Sequence, residues 1–262
     1  MLGNAIRIIL LLFSMTVYFI HCGSQAIRAD LDADAYFEYA KGLFDKGKYY
    51  NAITEFTVVT LKFSADPIVD DAQYYLAESH FMYKEYLIAA SEYQKVVEDY
   101  PESPYVEKAY YMIGLCYSNL SLRAELDQDY TAQAIRHFQN FLEYYPNSNL
   151  REKVEQEIGD LREKLSSKQL KGGNQYRAMG LYDSAVIYYD IILEKYYDTK
   201  SAELALYWKA ECLYKMDRFE ESLTSFSILV EKFSDSNKVD KAKSRISEIQ
   251  EQLNKQAVKS EN

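Results

Sequence analysis

The thiol of Cys22 is the side chain in this sequence best placed for covalent chemistry. Arg7 opens a weakly basic start, Ile8 to Ile20 is an uncharged apolar run of 13 residues, and Cys22 follows after His21. That is the layout of an export signal. Spanning a bilayer takes about 20 apolar residues, so the run suits a cleaved segment better than a membrane helix. Phe19-Ile20-His21-Cys22-Gly23 resembles a bacterial lipobox, in which a signal peptidase cuts before a cysteine that receives lipid, although His21 stands where a small residue is usual. The alternative is ordinary cleavage at Ser24-Gln25-Ala26, whose small-x-small form would discard Cys22 with the signal. On the first reading residues 1–21 are a signal peptide and 22–32 a lipidated tether, with the lipid on Cys22 and no other cofactor.

Other chemistry is sparse. Neither a GxxxxGK[ST] nor a GxGxxG sequence occurs, which leaves nucleotide binding unsupported. After removal of the signal only His80 and His137 remain, at unrelated places and without a nearby ligand pair, so no zinc site is expected. The many acidic residues fall on the polar sides of amphipathic stretches, where a solvated face explains them more simply than an acid-base pair. A formal charge of −10 argues against nucleic acid, because neutralising phosphates needs clustered Lys and Arg. The expectation is a non-enzyme, with a periplasmic enzyme as a distant alternative.

What the residues do show is a phrase written five times. Tyr49, Ala52 and Phe56 recur as Tyr86, Ala89 and Tyr93, as Thr131, Ala134 and Phe138, as Tyr182, Ala185 and Tyr189, and as Phe219, Ser222 and Phe226. Offsets of three and four place each copy on one face of a helix, and a copied face must bury itself against its neighbours. Only 9 glycines and 4 prolines occur, which suits a helix-rich chain. Successive first members lie 37, 45, 51 and 37 residues apart, so the unit is 37 with two insertions. Pro67 to Ala72 aligns with Pro104 to Ala109 at the same offset. Each unit reads as helix, turn, helix and an exit such as Tyr100-Pro101 or Tyr145-Pro146, with Gly47 and Gly180 marking inner turns.

This pattern resembles the tetratricopeptide repeat. The second unit carries Ala77, Tyr86, Ala89, Tyr93 and Pro101 at the family's five marker places, whereas Tyr197 and Ser234 replace the proline in units four and five. The expected fold is an all-α solenoid of five helix-turn-helix repeats with a C-terminal capping helix, whose stripe is Val239, Ala242, Ile246, Ile249 and Leu253. Cys116 and Cys212 each take the tenth place of a repeat, a place held by Gly42 and Ser79 elsewhere. Two repeats apart at about 10 Å per stacked helix, they exceed the reach of a disulfide and read as buried free thiols.

The insertions divide the array. Eight extra residues fall within Ser121 to Tyr130, an expected polar projecting loop containing Asp127, Gln128 and Asp129. Fourteen more precede repeat four, close to four helical turns, and so lengthen its first helix to about Leu150–Met179 with Gly172-Gly173 as its weak point. In peptide-binding members of the repeat family, positions 5, 9 and 12 of the first helices point into the inner surface. Here they hold Phe37, Lys41 and Phe44, then Tyr74, Glu78 and Phe81, then Tyr111 and Leu115. An aromatic groove of this kind suits an extended apolar peptide, while the equal alternative is that the rings pack between helices.

Several stretches together resemble the BamD-type lipoproteins of the outer-membrane β-barrel assembly machinery. They are Leu126-Asp127-Gln128-Asp129-Tyr130-Thr131, Ala134-Ile135, Phe141 to Ser148 ending in Tyr145-Pro146-Asn147-Ser148, and Leu161-Arg162-Glu163-Lys164-Leu165. The resemblance implies a non-catalytic scaffold, lipid-anchored to the outer membrane and facing the periplasm. Its implied partners are unfolded outer-membrane β-barrel proteins, the periplasmic domains of the barrel insertase and possible companion assembly lipoproteins. Residues 33–149, repeats one to three, would then be the client side. Residues 150–236, the long helix with repeats four and five, would be the insertase side, and 237–262 the capping helix and tail. The runner-up is a periplasmic repeat adaptor in cell-envelope division or peptidoglycan synthesis.

Overall fold

The computed structural model describes residues 31–260, so the signal segment, Cys22 and the tether as far as Asp30 lie outside it. Among the described residues there are eleven helices and no strand. They are α1 (Ala33–Asp45), α2 (Tyr49–Lys62), α3 (Val69–Met82), α4 (Tyr86–Asp99), α5 (Val106–Leu120), α6 (Asp129–Tyr144), α7 (Arg151–Ala178), α8 (Tyr182–Lys195), α9 (Lys200–Lys215), α10 (Phe219–Lys232) and α11 (Val239–Ser260). Four helical hairpins of the tetratricopeptide type, α1–α2, α3–α4, α7–α8 and α9–α10, stand before and after α5 and α6 in the chain, and one capping helix follows. The chain forms two compact units, up to Cys116 and from Tyr117, and each is described by itself.

The repeated phrase is the core. Its second and third members, from Ala52 and Phe56 to Ser222 and Phe226, are wholly buried in all five copies. An aromatic ring removed from water in this way contributes about 1.5–3 kcal/mol, and the small residue one turn before it lets the partner helix approach. Asp32 starts α1 by accepting a hydrogen bond from the Ala35 amide at 2.9 Å.

The four short inner turns share one geometry. Gly47, Lys84, Gly180 and Asp217 all adopt positive φ, between 56° and 77°. In each, the next amide reaches back five residues: Lys48 to Leu43, Glu85 to His80, Leu181 to Tyr176, Arg218 to Leu213, at 2.9–3.0 Å. This is the Schellman closure of a helix C-terminus, for which glycine is the least strained residue. The sequence expectation covered Gly47 and Gly180; Lys84 and Asp217 take the same place 37 residues later at a strain of about 1 kcal/mol each.

In the first unit α1 to α4 pack in sequence order around Phe37, Ala40, Ala52, Phe56, Val59 and Leu76. In the second, α7 packs on α6, α8 and α9, and α11 covers α10 through Ala242 and Ile249. Cys116 and Cys212 are buried free thiols, and burial pushes them up to about 12 and about 11 respectively. The tenth place is not uniformly tight, however: a Cβ on Gly42 would meet nothing within 4 Å.

Two expectations need correction. Helix α7 runs unbroken for 28 residues, about 42 Å at 1.5 Å each, through Gly172 and Gly173. Those glycines are seats and not weak points: a Cβ would stand 2.7 Å from the Tyr188 ring at Gly172 and 2.6 Å from the Tyr189 ring at Gly173. The second correction concerns the loop after α5, which does not project but is bonded along α7.

Candidate functional site

In the first unit, the face built by α1, α3 and α5 carries the eight residues singled out by repeat position. Phe37, Tyr74 and Tyr111 are buried. Phe37 packs on Phe56 and Tyr75 at 5.7 and 5.8 Å between ring centroids, and Tyr74 stacks on Tyr105 at 4.3 Å. These rings hold helices together. Burial raises the Tyr74 phenol well above its ordinary value, and the charge of Glu78, which accepts its hydrogen bond, adds to the rise.

What remains within reach is more polar than the sequence suggested. Lys41, paired with Asp45, lies over the rings of Tyr75 and Phe44 at 4.9 and 5.6 Å, a cation–π arrangement. Its hydrogen bond to the Asp45 carboxylate raises its pKa. Glu78 faces Lys108 at 3.8 Å, and Lys108 in turn lies 5.0 Å over the Tyr74 ring. Phe44, Phe81 and Leu115 are half-buried beside them. The face therefore offers Lys41 and Lys108 to a carboxylate, Glu78 to an amide or cation, and the half-buried side chains to an apolar group. Tyr75, which gathers Phe37, Phe44 and Phe56 around one ring, was missed; its signal was the adjacent aromatic pair Tyr74-Tyr75.

In the second unit the loop between α5 and α6 is laid along α7. Lys164 donates to Ser121 Oγ, Lys168 to the Leu126 carbonyl and Lys171 to Glu125, each at 2.8 Å. Spacings of four and three put the lysines on one helical face, so one stripe of ammonium groups ties down the whole insertion. Lys171 holds the Glu125 carboxyl below its usual range. Within the loop Gln128 is the knot: its amide donates to the carbonyls of Arg123 and Leu126 at 2.9 and 3.1 Å and accepts from Thr131 at 2.8 Å. Asp127 accepts from the Asp129 amide at 3.0 Å, starting α6. The three residues Asp127, Gln128 and Asp129 fold the loop.

The opposite attachment of α7 uses the next residues of the same stretch. Arg162 forms a fork on Asp198, with Nη2 to Oδ1 at 2.6 Å and Nε to Oδ2 at 3.0 Å, and Nη2 also reaches the Lys195 carbonyl at 2.7 Å. This keeps the Asp198 carboxyl below its ordinary value. Ser201 donates to Glu163 at 2.6 Å, and Ser166 shares a buried hydrogen bond with Thr199 at 2.8 Å.

An apolar groove of about 390 Å³ lies between α8, α9 and α10, floored by Leu193, Leu206, Leu213, Ile228 and Phe233. Lys209, Glu221 and Lys232 rim it, and the exposed ring of Tyr197 stands at its edge. Among the described residues no group of three or more His, Cys, Asp or Glu could hold a metal ion, and no helix is long and apolar enough to cross a membrane. His80 bonds Glu85 at 2.7 Å and His137 stacks on Tyr117 at 4.9 Å, both structural.

Residues 29–218 match the YfiO family of outer membrane lipoproteins. The chain belongs to that family. Residues 204–236 also match a tetratricopeptide repeat. A curated relative is the outer membrane protein assembly factor BamD of Caulobacter vibrioides, 22% identical over 151 residues, which are 58% of this chain and 50% of the relative. The chain thus spans about half the length of that relative. Among solved structures, the TPR2AB domain of yeast Sti1 in its complex with pHSP90 is 16% identical over 86% of each chain, with a TM-score of 0.47. The TPR domain of P58(IPK) is 18% identical over 87% of this chain and 57% of its own, with a TM-score of 0.40.

Within this YfiO-family chain the stretch 161–165 now has a physical reading. Leu161 is buried, Arg162 and Glu163 bond the α8–α9 turn, and Lys164 bonds the loop. The groove was not foreseen; Tyr197, an aromatic in the place where the repeat pattern puts proline, was its trace in the sequence.

Proposed function

We propose that this YfiO-family chain is a non-catalytic scaffold of the outer-membrane β-barrel assembly machinery, anchored by lipid on Cys22 and facing the periplasm. The face of α1, α3 and α5 receives unfolded barrel precursors, and the second unit docks the periplasmic domains of the barrel insertase. The family match over residues 29–218, which takes in the loop and all of α7 to α9, carries this reading. The inner face supports the client role: an unfolded segment can lay apolar side chains on Phe44, Phe81 and Leu115 while Lys41, Glu78 and Lys108 meet its polar groups. The groove beside Tyr197 supports the docking role, since a partner side chain can fill an apolar trough with charges at its rim.

Polar replacement of Phe37, Tyr74 or Tyr111 would damage the core, so the test uses half-exposed positions. Lys41→Glu with Phe81→Ser is expected to weaken binding of barrel-derived C-terminal peptides at least tenfold in a titration and to leave insertase recovery from native membranes unchanged. Tyr197→Ala with Ile228→Lys is expected to do the reverse. Unchanged peptide affinity in the first variant removes the client assignment, and unchanged recovery in the second removes the docking assignment. Septal or peptidoglycan-synthesis partners in place of the insertase would favour the envelope-adaptor reading.

A further inference from the structure

The inner turns of the first two hairpins make a surface that neither client binding nor insertase docking uses. Helices α1 to α4 alternate in direction, so the turns after α1 and α3 emerge at the same end of the first unit. They meet there: the rings of Tyr50 and Tyr83 are 5.9 Å apart. Both are largely exposed, at 65% and 47%, and Leu87, the second residue of α4, is 53% exposed. Exposed apolar side chains grouped in this way, and not scattered singly, mark an interaction surface.

The charges around them are one-sided. Lys46, Lys48 and Lys84 lie in the two turns, all exposed, and none of them forms an ion pair among the described residues. Of the neighbouring carboxylates, Asp45 is paired with Lys41, while Glu85 hydrogen-bonds His80, which offsets its charge only when protonated. Three lysines against the one carboxylate of Glu85 leave a local excess of two cations in a chain of net charge −10. Lys84 also occupies a left-handed position, φ 67°, where glycine would relieve strain, as Gly47 does in the preceding repeat. A charge kept at a strained position suits a role outside the fold.

We propose that this edge rests on the surface of an anionic phospholipid bilayer, with Tyr50, Tyr83 and Leu87 at headgroup level and Lys46, Lys48 and Lys84 on lipid phosphates. Tyrosine with one apolar and one polar end, flanked by lysines that extend to the headgroups, is the side-chain set of the membrane–water interface. A protein partner would find three unpaired ammonium groups to neutralise at the centre of its contact, where interfaces are depleted of lysine. Ala33 lies eleven residue steps beyond Cys22, which at a maximum of about 3.5 Å each span no more than about 40 Å. The first hairpin thus lies within reach of any membrane that holds Cys22, although the proposal concerns the edge itself and depends on neither the client nor the docking assignment.

The test places an indole at the edge, Tyr83→Trp in a Trp208→Phe background, and mixes the full chain with vesicles at saturating lipid. Vesicles of phosphatidylethanolamine and brominated phosphatidylglycerol are compared with brominated phosphatidylcholine alone. Strong quenching by the anionic vesicles is expected, with little when the indole is moved to the opposite end of α2 by Leu61→Trp. Combined Lys46→Glu, Lys48→Glu and Lys84→Glu should weaken lipid partition by about a hundredfold, since each interfacial lysine contributes about a factor of five. Circular dichroism melts of the variants guard against unfolding. Equal quenching of both indoles, or quenching indifferent to the charge reversal, overturns the proposal. An indole left unquenched by vesicles but shielded from acrylamide in native membranes would assign the edge to a protein and overturn it as well.

Discussion

The first unit and the long helix of the second solve the same packing problem with different chemistry. Around Tyr75 the helices are joined by rings: Phe37, Phe44 and Phe56 all lie within 5.8 Å of it between centroids, and Tyr74 continues the chain to Tyr105. Along α7 the joints are glycine seats, a forked arginine and a stripe of lysines. Rings fill volume and tolerate adjustment, each pair adding about 0.5–1.5 kcal/mol beyond the area it buries. Exposed charged pins are screened by water and add about 0–1 kcal/mol each, but they hold only one register. The difference teaches that the repeat unit needs filling, whereas an inserted element needs locating.

The contrast is broken most forcefully by emptying the ring cluster. Phe56→Ala is expected to destabilise the first unit by about 3–5 kcal/mol, because a wholly buried ring leaves a cavity its neighbours only partly close. Chemical denaturation with the change in midpoint checks this, and a loss under 1 kcal/mol would mean the rings are redundant.

The next test separates two adjacent seats. Gly173→Ala drives a methyl into the ring of Tyr189, which is fully buried and bonded through its hydroxyl to Asn174 at 2.9 Å, so the ring cannot swing away. Overpacking of about 1–3 kcal/mol then outweighs the roughly 1 kcal/mol that alanine gains over glycine in a helix. Gly172→Ala meets only the half-exposed Tyr188 and is expected to be near neutral or slightly stabilising. Parallel thermal melts of the two variants decide; the reverse order would show that the seats do not matter.

The smallest effect belongs to the arginine fork. Arg162→Ala should cost about 0.5–1 kcal/mol at neutral pH, since Asp198 is about half exposed and water screens the pair. The sign with pH follows from the lowered Asp198 carboxyl: the fork contributes above the ordinary aspartate range and is lost as pH falls through the depressed value. Wild type and variant should therefore converge in stability in acid and differ at neutral pH, and a gap that persists undiminished in acid would refute the fork's role.

How far these features could be read beforehand depended on whether they were local. The fivefold phrase was legible because residues three and seven places apart share a helical face whatever surrounds them, and all ten of its second and third members are buried. The 28-residue helix was legible because fourteen added residues keep the apolar face in phase. The loop was read as projecting because Asp127, Gln128 and Asp129 are polar; that lysines 42 to 46 residues downstream would bind it is a tertiary fact without a local mark. Gly172-Gly173 was read by helix propensity, while Tyr188 and Tyr189 decided the matter from another helix. For the inner face, position 5 identified Phe37, Tyr74 and Tyr111 correctly as equivalent but could not tell a ring that lines a groove from one that closes it. The groove itself takes side chains from three helices and had no signature beyond Tyr197.

The stripe of lysines on α7 has a consequence in time as well as in space. Each hairpin of the array closes on near neighbours in sequence, so it can form as soon as its own residues are available. The loop after α5 is different: its partners on α7 lie 42 to 46 residues further on, and its fastening begins with Lys164 and is complete only when Lys171 has arrived. A chain folding from its N-terminus completes the first unit while that loop is still unfastened. The insertion is thereby the last part of its repeat to set, and the moment it sets reports that the long helix has formed.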